Sequence, residues 1–491
     1  MSVSGPAIPE RFSPVLTELA PLAERFADAG HRLYLVGGAV RDLLIGSNVT
    51  GFDFDLTTDA RPDAIKRCLD GWAHTMWNQG ERFGTIGAKR RNADGIERTF
   101  EVTTFRADAY HADSRKPTVT FSDTIDVDLG RRDFTINAMA LEITSPTATG
   151  GPVLVDPYGG AADLAQGVLR TPLAPQLSFD DDPLRVLRAA RFVARFDLKP
   201  AAELVEAVRA SGDRLRIVSA ERIHDEFDKL IALDHPSAGL WFCVDTGIAE
   251  HFLPELPALR LEHDPIHRHK DVLSHTIAVV ENVRPPTLAD NGTPAFDFRI
   301  TRLAALFHDI GKPRTRGYLP GKGTTFHHHD AVGARMTRKR MEALRYPAVD
   351  INAVSELVAL HLRFHTYRLG WTDSAVRRYV RDAGGLLAEL NVLTRCDCTT
   401  RDPRKAAALS KRMDDLEARI AELAAAEELA AIRPELDGND VMELLGVGPG
   451  KVVGEALAFL LEVRLEDGLI GRDAAVDRLR EWCAKRPTGP K

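Results

Sequence analysis

Two rhythms of apolar and polar positions run along this chain. Over residues 31–173 the apolar positions come in short runs broken by turn residues. HRLYLVGG predicts a strand ending in a glycine turn, and FDFDL alternates strictly between apolar and acidic positions. RFGTIGAKR, a turn at Asp94-Gly95 and RTFEVTTF together predict a β-hairpin. From Asp182 onward the apolar spacing changes to three and four, as in PLRVLRAARFVARF, RITRLAALFHDI, INAVSELVALHLRFH and KRMDDLEARIAELAAAEELAAI. The expectation is therefore an α+β head followed by a long helical body with almost no strands. The boundaries read as a helical extension (1–30), the head (31–173), a helical neck (174–255), a second helical region (256–410) and a helical tail (411–491). PPTLADNGTPAFD, from Pro285 to Asp297, reads as a loop between helices, and the terminal TGPK as frayed. No internal repeat is visible.

Length and charge refine this picture. A chain of 491 residues exceeds one ordinary core, so about two to four domains are expected. With 44% hydrophobic and 27% charged residues, the composition is that of a soluble globular protein. No apolar run reaches the length of a membrane span, and MSVSGPAIPERF lacks the basic and apolar segments of a secretion signal. Five scattered cysteines suit a reducing compartment, so a cytoplasmic protein is expected. Cys396-x-Cys398 has no second cysteine pair and reads as buried thiols rather than a metal knuckle. A net charge of -7 gives no overall attraction for nucleic acid. Any phosphate grip must come from local clusters such as RVLRAARFVAR (Arg185 to Arg195) or ARMTRKRMEALR (ending at Arg345), and either stretch also fits a solvated helix face.

Candidate chemistry begins at Asp53 and Asp55. A period of two puts both carboxylates on one strand face, where their repulsion is relieved by a divalent cation, as in metal-assisted phosphoryl transfer. Alone, the pair equally fits an exposed strand carrying two acids. Upstream, Gly37-Gly38 joins a strand to a helix and lets a phosphate approach free N–H groups, with Arg41 in the first turn. Downstream, Glu101 lies on the adjoining hairpin and can complete a carboxylate triad.

In the neck, Asp182 before Pro183 reads as a helix N-cap. Asp182, Arg185, Arg188 and Arg191 then follow in steps of three, forming one winding polar ridge. An aspartate acceptor beside an arginine donor can mimic the pairing partner of cytosine or adenine, which both show an amino donor next to a ring-nitrogen acceptor. Guanine and uracil present the reverse order. Further on, His308-Asp309 ends a helix, and His275, His329, His361 and Asp397 are further candidates for the same cation. Mixed imidazole and carboxylate ligands suit manganese, iron, nickel or zinc better than calcium.

LVGGAVRD, FDFDL, EVTTFR, RRDFTINAMA and DPYGG, in that order, resemble the class II tRNA nucleotidyltransferase and bacterial poly(A) polymerase family. The resemblance spans roughly residues 30–235, and a following HD region extends it to about residue 400. It implies a polymerase-β-like nucleotidyltransferase head. It also implies magnesium at Asp53 and Asp55, nucleotide contacts from Gly38 and Arg41, and a triphosphate grip from Arg132, with Glu101 the less secure third acid. DDPLR resembles the family's base-selecting motif, with Asp181 where glutamate is common, and Arg188 and Arg191 join the nucleotide site by the same likeness. His275, His308-Asp309 and Asp397, with His329 and His361 between them, resemble the HD phosphohydrolases with one or two metals. The expected activity is addition of C, C and A to the tRNA 3′ end from CTP and ATP, releasing pyrophosphate. The expected partners are those nucleotides and the tRNA acceptor arm, with no obligate protein partner. A poly(A) polymerase shares every head motif, although ERFGTIG and the HD region look more like the CCA-adding branch. An HD phosphohydrolase is the rival from another class, and a non-catalytic RNA-binding protein is the third; the intact polar motifs argue against both.

Overall fold

The computed structural model describes residues 9–47, 53–92, 95–111, 114–144, 152–261, 271–288, 292–320, 323–366, 371–400, 402–427 and 432–485. Phe52 of FDFDL, Asp94 of the expected hairpin turn, part of the loop after Pro285 and the terminal TGPK lie outside them. The chain divides into two compact units, residues 1–254 and 255–491.

The strands of the first unit's head are β1 (Leu33–Val36), β2 (Phe54–Thr58), β3 (Thr75–Trp77), β4 (Thr85–Arg91), β5 (Glu97–Thr104), β6 (Arg106–His111), β7 (Ser114–Phe121), β8 (Ala140–Glu142) and β9 (Leu154–Val155). Seven of these build one sheet in the order β3-β4-β5-β2-β1-β8-β9, while β6 and β7 form a separate ribbon. The pair β2–β5 is parallel and the other pairings in the sheet are antiparallel. Strand alternation sorts the side chains. Phe54, Leu56, Phe100 and Val102 enter a core with Leu19, Leu22 and Phe26 of the helix Ser13–Asp28 and Ile65 and Leu69 of the helix Pro62–Leu69. Asp55 and Glu101, one residue out of phase, are left exposed on the opposite face.

The neck helix Arg185–Phe196 buries Val186, Leu187, Ala189, Ala190, Phe192 and Val193. A Cβ on Gly239 would lie 2.6 Å from the Ala190 carbonyl, so only glycine lets the helix Ser237–Asp245 come this close. The helix starts at Arg185, two residues later than the Asp182-Pro183 signal predicts. Asp182 still caps the turn, because its carboxylate accepts from the Leu184 N–H at 3.2 Å.

The second unit is helical, as the periodicity predicts, apart from a hairpin pairing Arg316–Leu319 with Gly323–Phe326. A parallel pair, Val168–Leu169 with Lys199–Pro200, occurs in the first unit. Neither has an alternating pattern, and the first hairpin strand is exposed throughout, so no burial periodicity marked it. The last three helices, Gly438–Leu445, Lys451–Asp467 and Arg472–Ala484, close on a small core of Leu436, Val441, Ala456, Leu460 and Leu479. Cys68 and Cys243 are buried free thiols, but Cys396 and Cys398 are only half-buried, which corrects the expectation for that pair. Among the described residues no helix is long and apolar enough to cross a membrane.

Phe100 stacks on Phe54 with ring centroids 5.3 Å apart and meets Trp72 edge-on at 4.9 Å, directly beneath the carboxylate face. Phe100→Ala is expected to destabilise the first unit by about 3–5 kcal/mol. Denaturant unfolding followed by head tryptophan emission measures this, and a change below 1 kcal/mol would contradict the packing described.

Candidate active site and metal centre

Backbone register builds the first site. Asp55 of β2 is the direct partner of Glu101 on β5, so both carboxylates project from the same face, and exposed Asp53 comes just before β2. Although Asp55 keeps accessible surface, the protein packed around it displaces enough water to raise its pKa above the ordinary carboxylate value; Arg132 opposes this and Asp53 adds to it. Glu101 is also raised, first by burial and then by the charges of Asp55 and Asp53. Three carboxylates on one face, with Asp55 and Glu101 raised in pKa first by burial, form a set of hard oxygen donors, and this chemistry fits magnesium.

The glycine corner lies at the end of β1. Gly37 has φ 71°, a conformation that favours glycine, and the helix Gly38–Leu44 follows it. A Cβ on Gly37 would stand 3.0 Å from Arg132 Nη1, so this guanidinium lies against the corner. Arg132 and Arg131 are both anchored on Asp128, which is fully buried. Burial alone would raise Asp128, but the two arginine charges outweigh it and hold its pKa below the usual value. Arg41 also lies against Gly38, but its guanidinium is buried and bonded to Asp42 and Asn137 and covers the Phe196 ring. It braces the corner through these partners instead of presenting a free cation.

The neck ridge divides by partner. The Asp182 carboxylate accepts from Arg222 at 2.7 Å, and Arg185 donates to Ser178 Oγ at 2.8 Å and to the Arg131 carbonyl. Arg188 bonds Asp133, whose pKa is lowered to about 2 because Arg188 and Asn137 outweigh the effect of burial. Arg191 is buried against Glu226, which Arg188 also approaches at 3.7 Å. Asp182 and Arg185 thus keep accessible surface, whereas Arg191 is committed to the interior. Sequence reasoning missed Asp128, Arg222 and Glu226. Only Asp133 carried a signal, through its place in RRDF.

The second site gathers all six expected residues from five elements. His275 comes from the helix Val272–Asn282, His308 and Asp309 from the end of Phe298–Phe307, and His329 from the start of His329–Ala343. His361 follows Ala348–Leu360, and Asp397 ends Leu387–Asp397. Two groups result, His275/His308/Asp397 and Asp309/His329/His361, each with its ligand atoms within 4.8 Å of one another. One Asp309 oxygen faces His308 at 3.2 Å and the other faces His329 at 3.4 Å, so the carboxylate lies between the groups.

The far ring nitrogens explain the orientation. His308 Nδ1 donates to the Ala305 carbonyl, His329 Nδ1 to Phe326 and His361 Nδ1 to Val358, while His275 Nδ1 meets the Thr399 hydroxyl. With Nδ1 fixed as donor, the Nε2 lone pairs of His308, His329 and His361 point inward. His275 and His308 Nε2 come within 3.2 Å, as do His329 and His361 Nε2. Converging lone pairs backed by carbonyl groups form a donor set for a divalent transition metal. Lys312, which sequence reasoning missed, reaches Asp309 at 2.6 Å. A Cβ on Gly311 would stand 2.1 Å from the His329 carbonyl, so the two ligand segments touch through glycine.

Comparison with known proteins agrees with this division. Residues 33–170 match the family model described as the poly A polymerase head domain. Residues 197–259 match a probable RNA and SrmB-binding site of polymerase A, and residues 272–427 match the HD domain. The A-adding tRNA nucleotidyltransferase of Deinococcus radiodurans is 32% identical over 464 residues, covering 92% of this chain and 96% of that protein. The CCA-adding enzyme of Bacillus subtilis is 37% identical over 53% of this chain and 59% of its own length. Among solved structures, the Bacillus stearothermophilus CCA-adding enzyme in complex with CTP shares the fold with a TM-score of 0.66 at 21% identity, covering 97% of this chain and 99% of that one.

Two outcomes test the site geometry. Asp55→Asn removes one of three mutually repelling acids, so the metal-free variant should melt no lower than the parent while nucleotide transfer falls about 10³-fold; a variant that melts lower and stays active refutes the arrangement. In metal-free protein His308 is raised to about 9, since Asp309 and Asp397 outweigh its burial, whereas His361 is lowered to about 4 by burial and by His308. A metal must displace the His308 proton. Affinity for added manganese or nickel should therefore climb with pH up to about 9 and then level, with about one proton released per metal bound below that pH. Between about pH 6.5 and about pH 9 the metal-free protein loses the stability that protonated His308 contributes. Calorimetric titration at several pH values measures both, and a pH-independent affinity counts against this cluster as the ligand set.

Proposed function

The chain belongs to the tRNA nucleotidyltransferase and poly(A) polymerase family, and on that premise we propose that it builds the CCA terminus of tRNA from CTP and ATP. The observation that carries this reading is the strand register that sets Asp55 against Glu101 beside the Gly37–Arg132 corner. In the proposed reaction the RNA 3′-hydroxyl attacks the α-phosphorus in line, and pyrophosphate leaves. Asp53, Asp55 and Glu101 would hold magnesium. Such an ion, when bound, lowers the hydroxyl's pKa and neutralises developing phosphate charge. Arg132, anchored by Asp128, orients the triphosphate at the glycine corner. The Gly37 backbone provides the close approach, and Arg41 holds that corner rigid.

Base choice falls to Asp182 and Arg185. Both side chains are fixed by neighbours, Asp182 by Arg222 and Arg185 by Ser178, so the edge they offer is formed before the nucleotide arrives. Arg188 and Arg191 act behind that edge through Asp133 and Glu226. The helical region would hold the acceptor arm by phosphates and shape. The HD cluster would take one or two ions of manganese, nickel, iron or zinc, and phosphate-ester hydrolysis there is a second, separable activity. The reading puts the protein in the cytoplasm with its nucleotides and tRNA.

A second reading has its own support, because one relative, matched over 96% of its length, is named an A-adding tRNA nucleotidyltransferase. Incubation with labelled CTP or ATP and tRNA lacking one, two or three terminal nucleotides separates the two. CTP use that stops after CCA supports our reading, A addition confined to tRNA ending in CC supports the second, and long A tails reject both. Asp182→Ala is expected to narrow the preference for CTP and ATP over UTP and GTP by about ten- to a hundredfold. An unchanged preference would remove Asp182 from base selection.

A further inference from the structure

One aromatic side chain stands in the same transverse row as the acids, and the proposed reaction leaves it without a task. Trp77 on β3 is the direct partner of Gly87 on β4, Gly87 of Glu101 on β5, and Glu101 of Asp55 on β2. Directly paired residues on adjacent strands project from the same face, so Trp77, Glu101 and Asp55 share one side of the sheet. Strand spacing puts the Trp77 backbone about 10 Å from that of Glu101. The indole closes much of that gap. A Cβ on Gly87 would fall 2.0 Å from Trp77 Cε2 and 2.3 Å from Nε1, so the ring lies flat across the bare backbone of Gly87. Trp77 and Glu101 line one open cavity of about 480 Å³, with Phe83, Gln79 and Arg106 on its rim. The ring is only half-buried, so one side of a large aromatic surface stays available beside a carboxylate of the site.

Strand order says which reactant it faces. The Gly37–Arg132 corner follows β1, and the sheet runs β3-β4-β5-β2-β1, so the corner and the indole flank the carboxylates from opposite sides. In-line displacement demands the attacking hydroxyl and the departing pyrophosphate on opposite sides of the phosphorus. If the triphosphate occupies the glycine corner, the hydroxyl and its nucleoside come from the β4–β3 side. We propose that Trp77 is the platform on which the 3′-terminal base of the acceptor RNA stacks, and that Gly87 is small so that the ring can reach it. The inference rests on the nucleotidyltransferase reading given above. Stacking suits this task because every base has a π-face, so the platform accepts a terminal base of any identity while the nucleotide lengthens the strand.

The test is steady-state addition to tRNA lacking its terminus, with RNA and CTP varied separately. Trp77→Ala should raise the KM for RNA about 10- to 100-fold while leaving the KM for CTP and the rate at saturating RNA within about threefold. Trp77→Phe should retain most of the affinity. Gly87→Val, which displaces the indole without removing it, should reproduce the alanine defect. Trp77→Leu covers the edge strand without a stacking ring, and serves if the alanine variant does not fold. RNA added without nucleotide should quench a component of the tryptophan emission that Trp77→Phe lacks. An unchanged KM for RNA in both Trp77→Ala and Trp77→Leu overturns the inference, as does a rise confined to the KM for CTP. Failure of the parent protein to extend any RNA instead overturns the reading on which it rests.

Discussion

Repulsion among three acids is the constraint around which the head is organised. Asp53, Asp55 and Glu101 are brought together by main-chain register, with Asp55 and Glu101 raised in pKa by burial first and by neighbouring carboxylates second. Nothing in the side chains themselves favours this arrangement. It persists because the opposite faces of the same strands, Phe54, Leu56, Phe100 and Val102, are locked into the head core. A one-residue slip would send the acids inward and the aromatics to solvent, so packing on one side of the sheet fixes the electrostatic geometry on the other.

Arginines that look alike in sequence do different work according to what they touch. Arg131 and Arg132 share the buried Asp128, Arg188 takes Asp133, and Arg191 takes Glu226. Buried pairs of this kind add little net stability, since desolvation offsets most of the attraction. Their contribution is orientation. Asp128 aims Arg132 at the glycine corner, and the Arg188–Asp133 pair ties the RRDF segment to the neck helix, where Arg185 meets the Arg131 carbonyl.

The HD cluster follows a related logic with a different donor chemistry. Its imidazoles are aimed by hydrogen bonds on the far nitrogen to Ala305, Phe326, Val358 and Thr399, and the Asp309 carboxylate lies between the two groups. In the head, the candidate ligands among the described residues are carboxylate oxygens. An all-carboxylate site and a mixed imidazole and carboxylate site thus occur in separate compact units of one chain, and different ions suit them.

The sequence by itself determined the order of the elements and the residue types of both sites. Strict alternation in FDFDL separated acids from aromatics, and spacing of three and four marked the helices from Arg185 onward. His275, His308, Asp309, His329, His361 and Asp397 were legible as candidates because, taken in order, they resemble the HD phosphohydrolases, although each alone fits a structural or exposed side chain. What the sequence left open is partnership, since pairing across a sheet or between helices is a property of space. Only the tertiary structure showed that Arg41 and Arg191 are spent on buried partners, or that Arg222 fixes Asp182. It alone set Trp77 in a row with Glu101 across a glycine. The physical reason is range: local pattern records which face a residue takes, while a long-range contact depends on which other strand or helix that face meets.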